Sequence, residues 1–231
     1  MHHRVVDRWS RGASPLHTLH AQAKIVVLLG FLVSLSTTPS SAQSTYGAYA
    51  LLALLAAASS RLPVGGLLLR AALVLPFSVT FAFITWWSGD GPRALTMLER
   101  SYLSGMGVVL FIATTPLVAG LSALEAWHFP RVLLLVMQFL YRYLFVIAEQ
   151  AQRIRQAAAC RGRKFGFRAA AGALGVLFAK SWQRAEGVPQ AMLARGFSGR
   201  FAAAVPAPFS STDGFFLVAG LAVCVGVRII L

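Results

Sequence analysis

Residues 67–87 read LLLRAALVLPFSVTFAFITWW, and this run decides what kind of protein the chain is. It is long enough to cross hydrocarbon as a helix, which takes about 20 apolar residues. Pro76 marks a kink inside it, and Trp86-Trp87 supplies the amphipathic rings that collect at a membrane surface. The composition of the whole chain agrees. Of 231 residues, 57% are hydrophobic and 12% charged, too little charge to cover the surface of a soluble domain of this size. The chain reads as an all-α integral membrane protein.

Four more apolar runs flank this one: 25–35, carried by serine and threonine to Thr38 before Pro39; 46–58; 102–121, which contains Pro116; and 215–231. The first two fall short of a full crossing. Their hydroxyl-bearing flanks can lengthen them, because serine and threonine bond back to the helix backbone. This map gives about five transmembrane helices. Residues 1–24 form an N-terminal segment, 25–121 the first four spans, 122–213 an insertion, and 214–231 the last span. Residues 1–14 are polar and basic, so no cleavable signal peptide is expected and the run from Ile25 serves as its own insertion signal.

The formal net charge of +14 tests the map, since short cytoplasmic loops collect lysine and arginine. Arg4, Arg8, Arg11 and Lys24 against Asp7 place the N-terminal segment in the cytoplasm. Loop 39–45 carries no charge and falls outside; Arg61 and Arg70 place the next loop inside. Asp90, Arg93, Glu99 and Arg100 balance, which suits an outer loop. Residues 131–200 hold twelve basic residues against two glutamates and fall inside, leaving the C-terminus outside. Nucleic-acid binding is the soluble reading of such charge, and the interleaving of basic residues with apolar runs opposes it. Cys160 lies in the basic region and Cys224 in the last apolar run, so no structural disulfide is expected.

The insertion has helical periodicity. One long helix is expected from Pro130 to about Cys160, beginning at or in the membrane, then helices over 168–184 and 187–195, all amphipathic elements suited to a membrane surface or a partner. Within it a short pattern repeats: Gln156-Ala157-Ala158-Ala159-Cys160-Arg161-Gly162 and Gln190-Ala191-Met192-Leu193-Ala194-Arg195-Gly196 both read Q-A-x-x-x-R-G, 34 positions apart. Each half can be an ordinary helix stop, with glycine as the left-handed cap and arginine beside the negative helix end. As a pair they suit a partner with two equivalent sockets. Small residues admit a close backbone, and a guanidinium grips a carboxylate with two hydrogen bonds.

These residues resemble the transmembrane T components of energy-coupling factor (ECF) transporters, and among them the CbiQ type associated with cobalt. The resemblance is carried by Tyr141-Arg142-Tyr143-Leu144-Phe145-Val146, by Gln152-Arg153 through Arg161-Gly162, and by Gln183-Arg184-Ala185-Glu186 through Ala191-Met192-Leu193-Ala194-Arg195-Gly196-Phe197. Ser14-Pro15-Leu16-His17 to Lys24 looks like the family's approach to its first span. The family carries two Ala-Arg-Gly motifs on cytoplasmic coupling helices. Ala194-Arg195-Gly196 matches in full; Cys160-Arg161-Gly162 has cysteine in the first place, a compact residue that fits the same space. The resemblance implies an energy-coupling component of an ATP-driven cobalt importer, in which Arg161 and Arg195 each engage an acidic site on one of two ATPase subunits. It further implies a CbiM-like membrane subunit that binds substrate, with a small accessory membrane protein in some systems. ATP and magnesium would sit on the ATPases, and this chain would hold no cofactor or metal. Nickel or a vitamin is the alternative cargo.

The residues speak against two other classes. A stand-alone secondary transporter keeps ionisable groups within its spans, but apart from Arg70, which flanks the loop at the start of the third, spans one to four hold none between their ends, Glu125 lies beyond, and Arg228 is near the end of the fifth. A membrane-embedded enzyme needs a nucleophile, a metal cluster or an acid pair, and the sequence offers none. His2 and His3 lie near the N-terminus, His17 and His20 three residues apart, and His128 beside Trp127. No third ligand joins them, which favours packing or interfacial roles.

Overall fold

The computed structural model describes residues 14–40, 42–60, 62–162, 166–197 and 210–230. Arg4, Asp7, Arg8, Arg11, His2, His3, Arg61, Arg163, Lys164, Arg200 and the linker at Pro206 and Pro208 lie outside them. All regular structure among the described residues is helical: α1 (Pro15–Thr18), α2 (Ala21–Thr37), α3 (Gln43–Ser59), α4 (Val64–Ala71), a 3-10 turn (Ala72–Val74), α5 (Leu75–Trp87), α6 (Gly91–Thr114), α7 (Leu117–Ala126), α8 (Arg131–Cys160), α9 (Phe167–Ala194) and α10 (Ser211–Ile230). Among the described residues four stretches are long and apolar enough to cross a membrane: Val64–Trp87, Gly91–Thr114, Arg131–Cys160 and Ser211–Arg228. The chain divides into two compact units. One runs to Ala123 and takes in the C-terminal helix; the other lies between Leu124 and Pro206.

In the first unit the expected runs fall on helices, and their ends are set by local chemistry. α2 stops at Thr37, where Pro39 disfavours the helical conformation at the residue before it, and Thr38 is extended (ψ 130°). Thr37 Oγ1 donates to Val33 O and Thr38 Oγ1 to Ser34 O, both at 2.8 Å, so hydroxyls cover carbonyls that the helix end leaves open. With 17 residues each, α2 and α3 are about 25 Å long. The run 67–87 starts earlier, at Val64, and the helix tightens to 3-10 geometry at Ala72–Val74, just before Pro76. That ring cannot accommodate the carbonyl four residues back.

The span placed at 102–121 is corrected at both ends. α6 begins at Gly91, so Arg93, Glu99 and Arg100, read as an outer loop, are helical. Two of these charges have a clear destination. Arg93 meets Asp90 at 3.4 Å on the surface. Arg100 Nη2 donates to Thr38 O (2.7 Å) and Tyr46 Oη (2.9 Å), and Tyr46 Oη donates to the same Thr38 carbonyl at 3.2 Å. At the far end Pro116 holds Thr115 extended (φ −129°, ψ 115°), so α6 stops at Thr114 and α7 is a separate helix.

α6 is the hub: α2, α3, α4 and α5 all pack on it, and α10 lies against α2 and α3. The core gathers Leu35, Tyr46, Tyr49, Ala53, Ala57, Leu67, Ala71, Leu103 and Met106. Its three alanines, Ala53, Ala57 and Ala71, let backbones approach closely, the usual basis of helix association in lipid. Tyr49 is fully buried; its hydroxyl donates to Cys224 O at 3.1 Å and its ring meets Phe31 edge-on at 5.7 Å. The outer faces of α4 and α5, with the turn between them, present Leu69, Leu73, Phe77, Phe81, Trp86 and Trp87, an apolar band of the kind that lipid covers.

In the second unit α8 runs from Arg131 to Cys160 as expected. The helices expected over 168–184 and 187–195 are instead one, α9, with Gly187 and Pro189 inside it. An interior proline removes one backbone bond and crowds the carbonyl four residues back, a local cost that the helix absorbs here, with the strong helix formers Ala191, Met192, Leu193 and Ala194 beyond it.

Arg100 generates a test. Arg100→Ala leaves Thr38 O without its charged donor at a helix end, and losing such a bond costs about 1.5–3 kcal/mol. Thermal unfolding in detergent should show the loss, with Arg100→Lys keeping part of it; an unchanged midpoint for Arg100→Ala would exclude this clamp.

Candidate functional site: two arginine–glycine helix ends

The repeated pattern becomes a repeated structure. α8 ends at Cys160 and α9 at Ala194, and the next residue in each case is the arginine. Arg161 has φ −86°, ψ 10°, and Arg195 φ −91°, ψ 10°. The glycines then turn left-handed, Gly162 at φ +70° and Gly196 at φ +78°. A side chain at such angles costs about 1–2 kcal/mol. Gly162 N donates to Ala159 O at 2.9 Å and Gly196 N to Leu193 O at 3.0 Å, the same bond in both copies. At the second end Phe197 N also donates to Met192 O at 3.0 Å, which completes the two-bond left-handed stop. Two distant stretches of sequence thus build one local geometry twice.

That geometry presents the arginines. Cys160, Arg161, Gly162, Ala194, Arg195 and Gly196 are all exposed, and among the described residues neither guanidinium is bound to another side chain. A Cβ added at either glycine would meet nothing within 4 Å. The space beside each arginine is open, and glycine is needed there for its angles alone. Each arginine follows the negative end of its own helix with its donors unspent, so it can bind an acidic group without first losing another partner. Cysteine at position 160 is exposed, as is alanine at 194, and leaves the stop unaltered.

The helices also set the spacing. α8 and α9 pack together in one unit, and in the chain α9 lies between the first arginine and the second. Its 28 residues make about 40 Å of rod. Glu149 and Arg153 pair at 2.7 Å on α8, a surface contact that adds only some tenths of a kcal/mol to helix stability.

The unit also carries an exposed apolar stripe that no sequence motif marks. Leu174, Phe178 and Trp182 are exposed on one stripe of α9, with Phe178 and Trp182 rings 6.4 Å apart and Trp182 Nε1 donating to Glu186 at 2.8 Å. Their spacing of four is the signal that could have found them. Among the histidines, His17 Nδ1 lies 2.6 Å from Ser14 Oγ, and His20 Nδ1 accepts from Gln22 N at 3.3 Å to cap α2. Among the described residues no group of three or more potential ligands could hold a metal ion.

Comparison with known proteins gives two findings. Residues 12–204 match the family model CbiQ, described as cobalt transport protein. Over 116 residues the chain is 28% identical to the uncharacterized protein MJ1089 of Methanocaldococcus jannaschii, an alignment covering 48% of this chain and 43% of that one. The chain thus spans less than half the length of this curated relative.

The repeated stop yields a prediction. Gly196→Val should strain the left-handed residue and fray the end of α9, raising amide exchange at Arg195 and Phe197 by about tenfold. Gly196→Asn, which tolerates these angles, should change it little. Equal exchange in Gly196→Val and the parent would show that the angle carries no strain.

Proposed function

As the chain belongs to the CbiQ cobalt transport protein family, we propose that it is the energy-coupling membrane component of an ATP-driven ECF-type cobalt importer. The single observation that carries this reading is the pair of matching arginine–glycine helix ends, separated in the chain by the length of α9. Two exposed, equivalent cationic ends suit two acidic sockets, and two ATPase subunits acting together supply such a pair. Arg161 and Arg195 each seat in one ATPase. Closure of the ATPases on ATP moves both ends, and α8 and α9 transmit the displacement to a separate membrane subunit that holds the cargo. ATP hydrolysis belongs to the ATPases; this chain carries force and no catalytic group.

The orientation is argued from charge. The basic segment 131–200 and the N-terminal segment face the cytoplasm, where the ATPases are, and the C-terminus lies outside. The CbiM-like subunit selects the ion, with a small accessory membrane protein beside it. Nickel or a vitamin would replace cobalt through a different cargo subunit.

Co-purification tests the reading. Tagged protein in mild detergent should retain two ATPase subunits per chain, a stoichiometry that rests on the two ends, together with the cargo subunit. Arg161→Ala or Arg195→Ala should weaken ATPase binding by about 2–5 kcal/mol, the usual loss when one partner of a buried charge pair is truncated, and the double substitution should abolish both retention and cobalt uptake. Arg195→Lys should recover little, because an ammonium cannot make the two-pronged contact. A double variant that still retains ATPases and imports cobalt would refute coupling through these ends.

A further inference from the structure

The first unit contains a cavity of about 530 Å³ between α2, α3, α6 and α10, of the size that holds a small ligand. Its wall is almost wholly apolar, with Val27, Phe31, Leu52, Met106, Ala219 and Val223 among the lining groups. Leu55 and Phe215, both largely exposed, also line it, so it opens on the outer surface of the bundle.

One end of the cavity is charged. Lys24 lines it and is only 7% exposed. Its ammonium donates to Thr114 O at 3.1 Å and His17 O at 3.5 Å, which leaves one of three protons without a carbonyl. The nearby carboxylate does not neutralise it by contact. Asp213 spends Oδ1 on His20 N (2.8 Å) and Oδ2 on Ser210 N (2.9 Å), and among the described residues no carboxylate makes an ion pair with Lys24. A buried cation with a spare donor at the mouth of an apolar cleft calls for an anion.

The dimensions say which anion. Lys24 and Thr114 sit at the polar end, with Phe31 and Met106 at the other. Along α2 that is about seven residues and along α6 about eight, or about 11–12 Å. A bilayer's hydrocarbon is about 30 Å thick, so the cleft starts at the polar ends of the helices and reaches most of the way to the midplane. We propose that this cleft binds one anionic phospholipid from the leaflet bordering Lys24, its phosphate on the Lys24 ammonium and one acyl chain along α2, α6 and α10. The site needs neither the ATPases nor the two arginine ends, so it stands or falls separately from the coupling reading.

Native mass spectrometry of the full chain, released from detergent with defined lipids, tests this. The parent should retain one phosphatidylglycerol and hold it at least about tenfold more tightly than phosphatidylcholine, the margin a charge-assisted bond provides. Lys24→Gln, which keeps a donor near Thr114, should erase the preference while chain binding persists. Ala219→Phe fills the cleft and should remove the bound lipid, with its melting point reporting that the fold is intact. Equal retention of the two lipids by the parent, or phosphatidylglycerol held as tightly by both variants, would overturn the proposal. So would a cysteine introduced by Ala219→Cys that reacts freely in lipid and is shielded only on assembly with the cargo subunit, an outcome that assigns the cleft to a partner helix.

Discussion

Two basic side chains hold the carbonyl ends of each other's helices, and the bundle is arranged around that exchange. Lys24, at the start of α2, reaches the last carbonyl of α6 at Thr114; Arg100, in the first half of α6, reaches Thr38 at the end of α2. The two helices are therefore antiparallel and clamped at both ends, each cation placed at the negative pole of a helix. In lipid this matters more than in water, because a helix end with open carbonyls has no solvent to turn to. Asp213 adds the matching device for amide donors, joining the beginnings of α2 and α10 through one carboxylate. These polar contacts of the membrane unit thus collect at the two ends of the bundle.

Between those ends the packing between α2 and α10 uses shape. A Cβ on Gly220 would lie 3.0 Å from both methyls of Val27, and one on Gly30 would collide with Leu221 Cδ2. The two helices touch backbone to side chain along this seam. Apolar helices gain no hydrophobic energy from leaving lipid for one another, so close contact of this kind and the end clamps are what remain to hold them.

Much of this was legible in the residues. Composition and the 67–87 run were enough for the all-α membrane class, α8 could be bounded to within a residue, and the repeat at Arg161 and Arg195 marked both helix stops. The failures share a cause. Counting apolar runs treats a charge as the end of a span, yet Arg100 remains in α6 because groups on other elements receive it, and nothing near it in sequence says so. Prolines were equally ambiguous. Pro116 breaks a helix and Pro189 does not; strong helix formers follow both, and what sets the first apart is that Lys24, far away in the chain, receives the carbonyl end before Pro116. The cleft beside Lys24 was invisible for the same reason, being assembled from four helices far apart in the chain.

The length of α8 has a mechanical meaning. Thirty residues without an internal proline or a break make a stiff rod of about 45 Å, roughly one and a half times the hydrocarbon thickness. Such a rod is a lever. A tilt of about 10° about one end sweeps the other through about 8 Å, more than one helical turn. A gain of this size needs no melting of the backbone and no flexible joint within the helix, so a small rotation at one end becomes a displacement as large as the register shift that re-seats one helix against another.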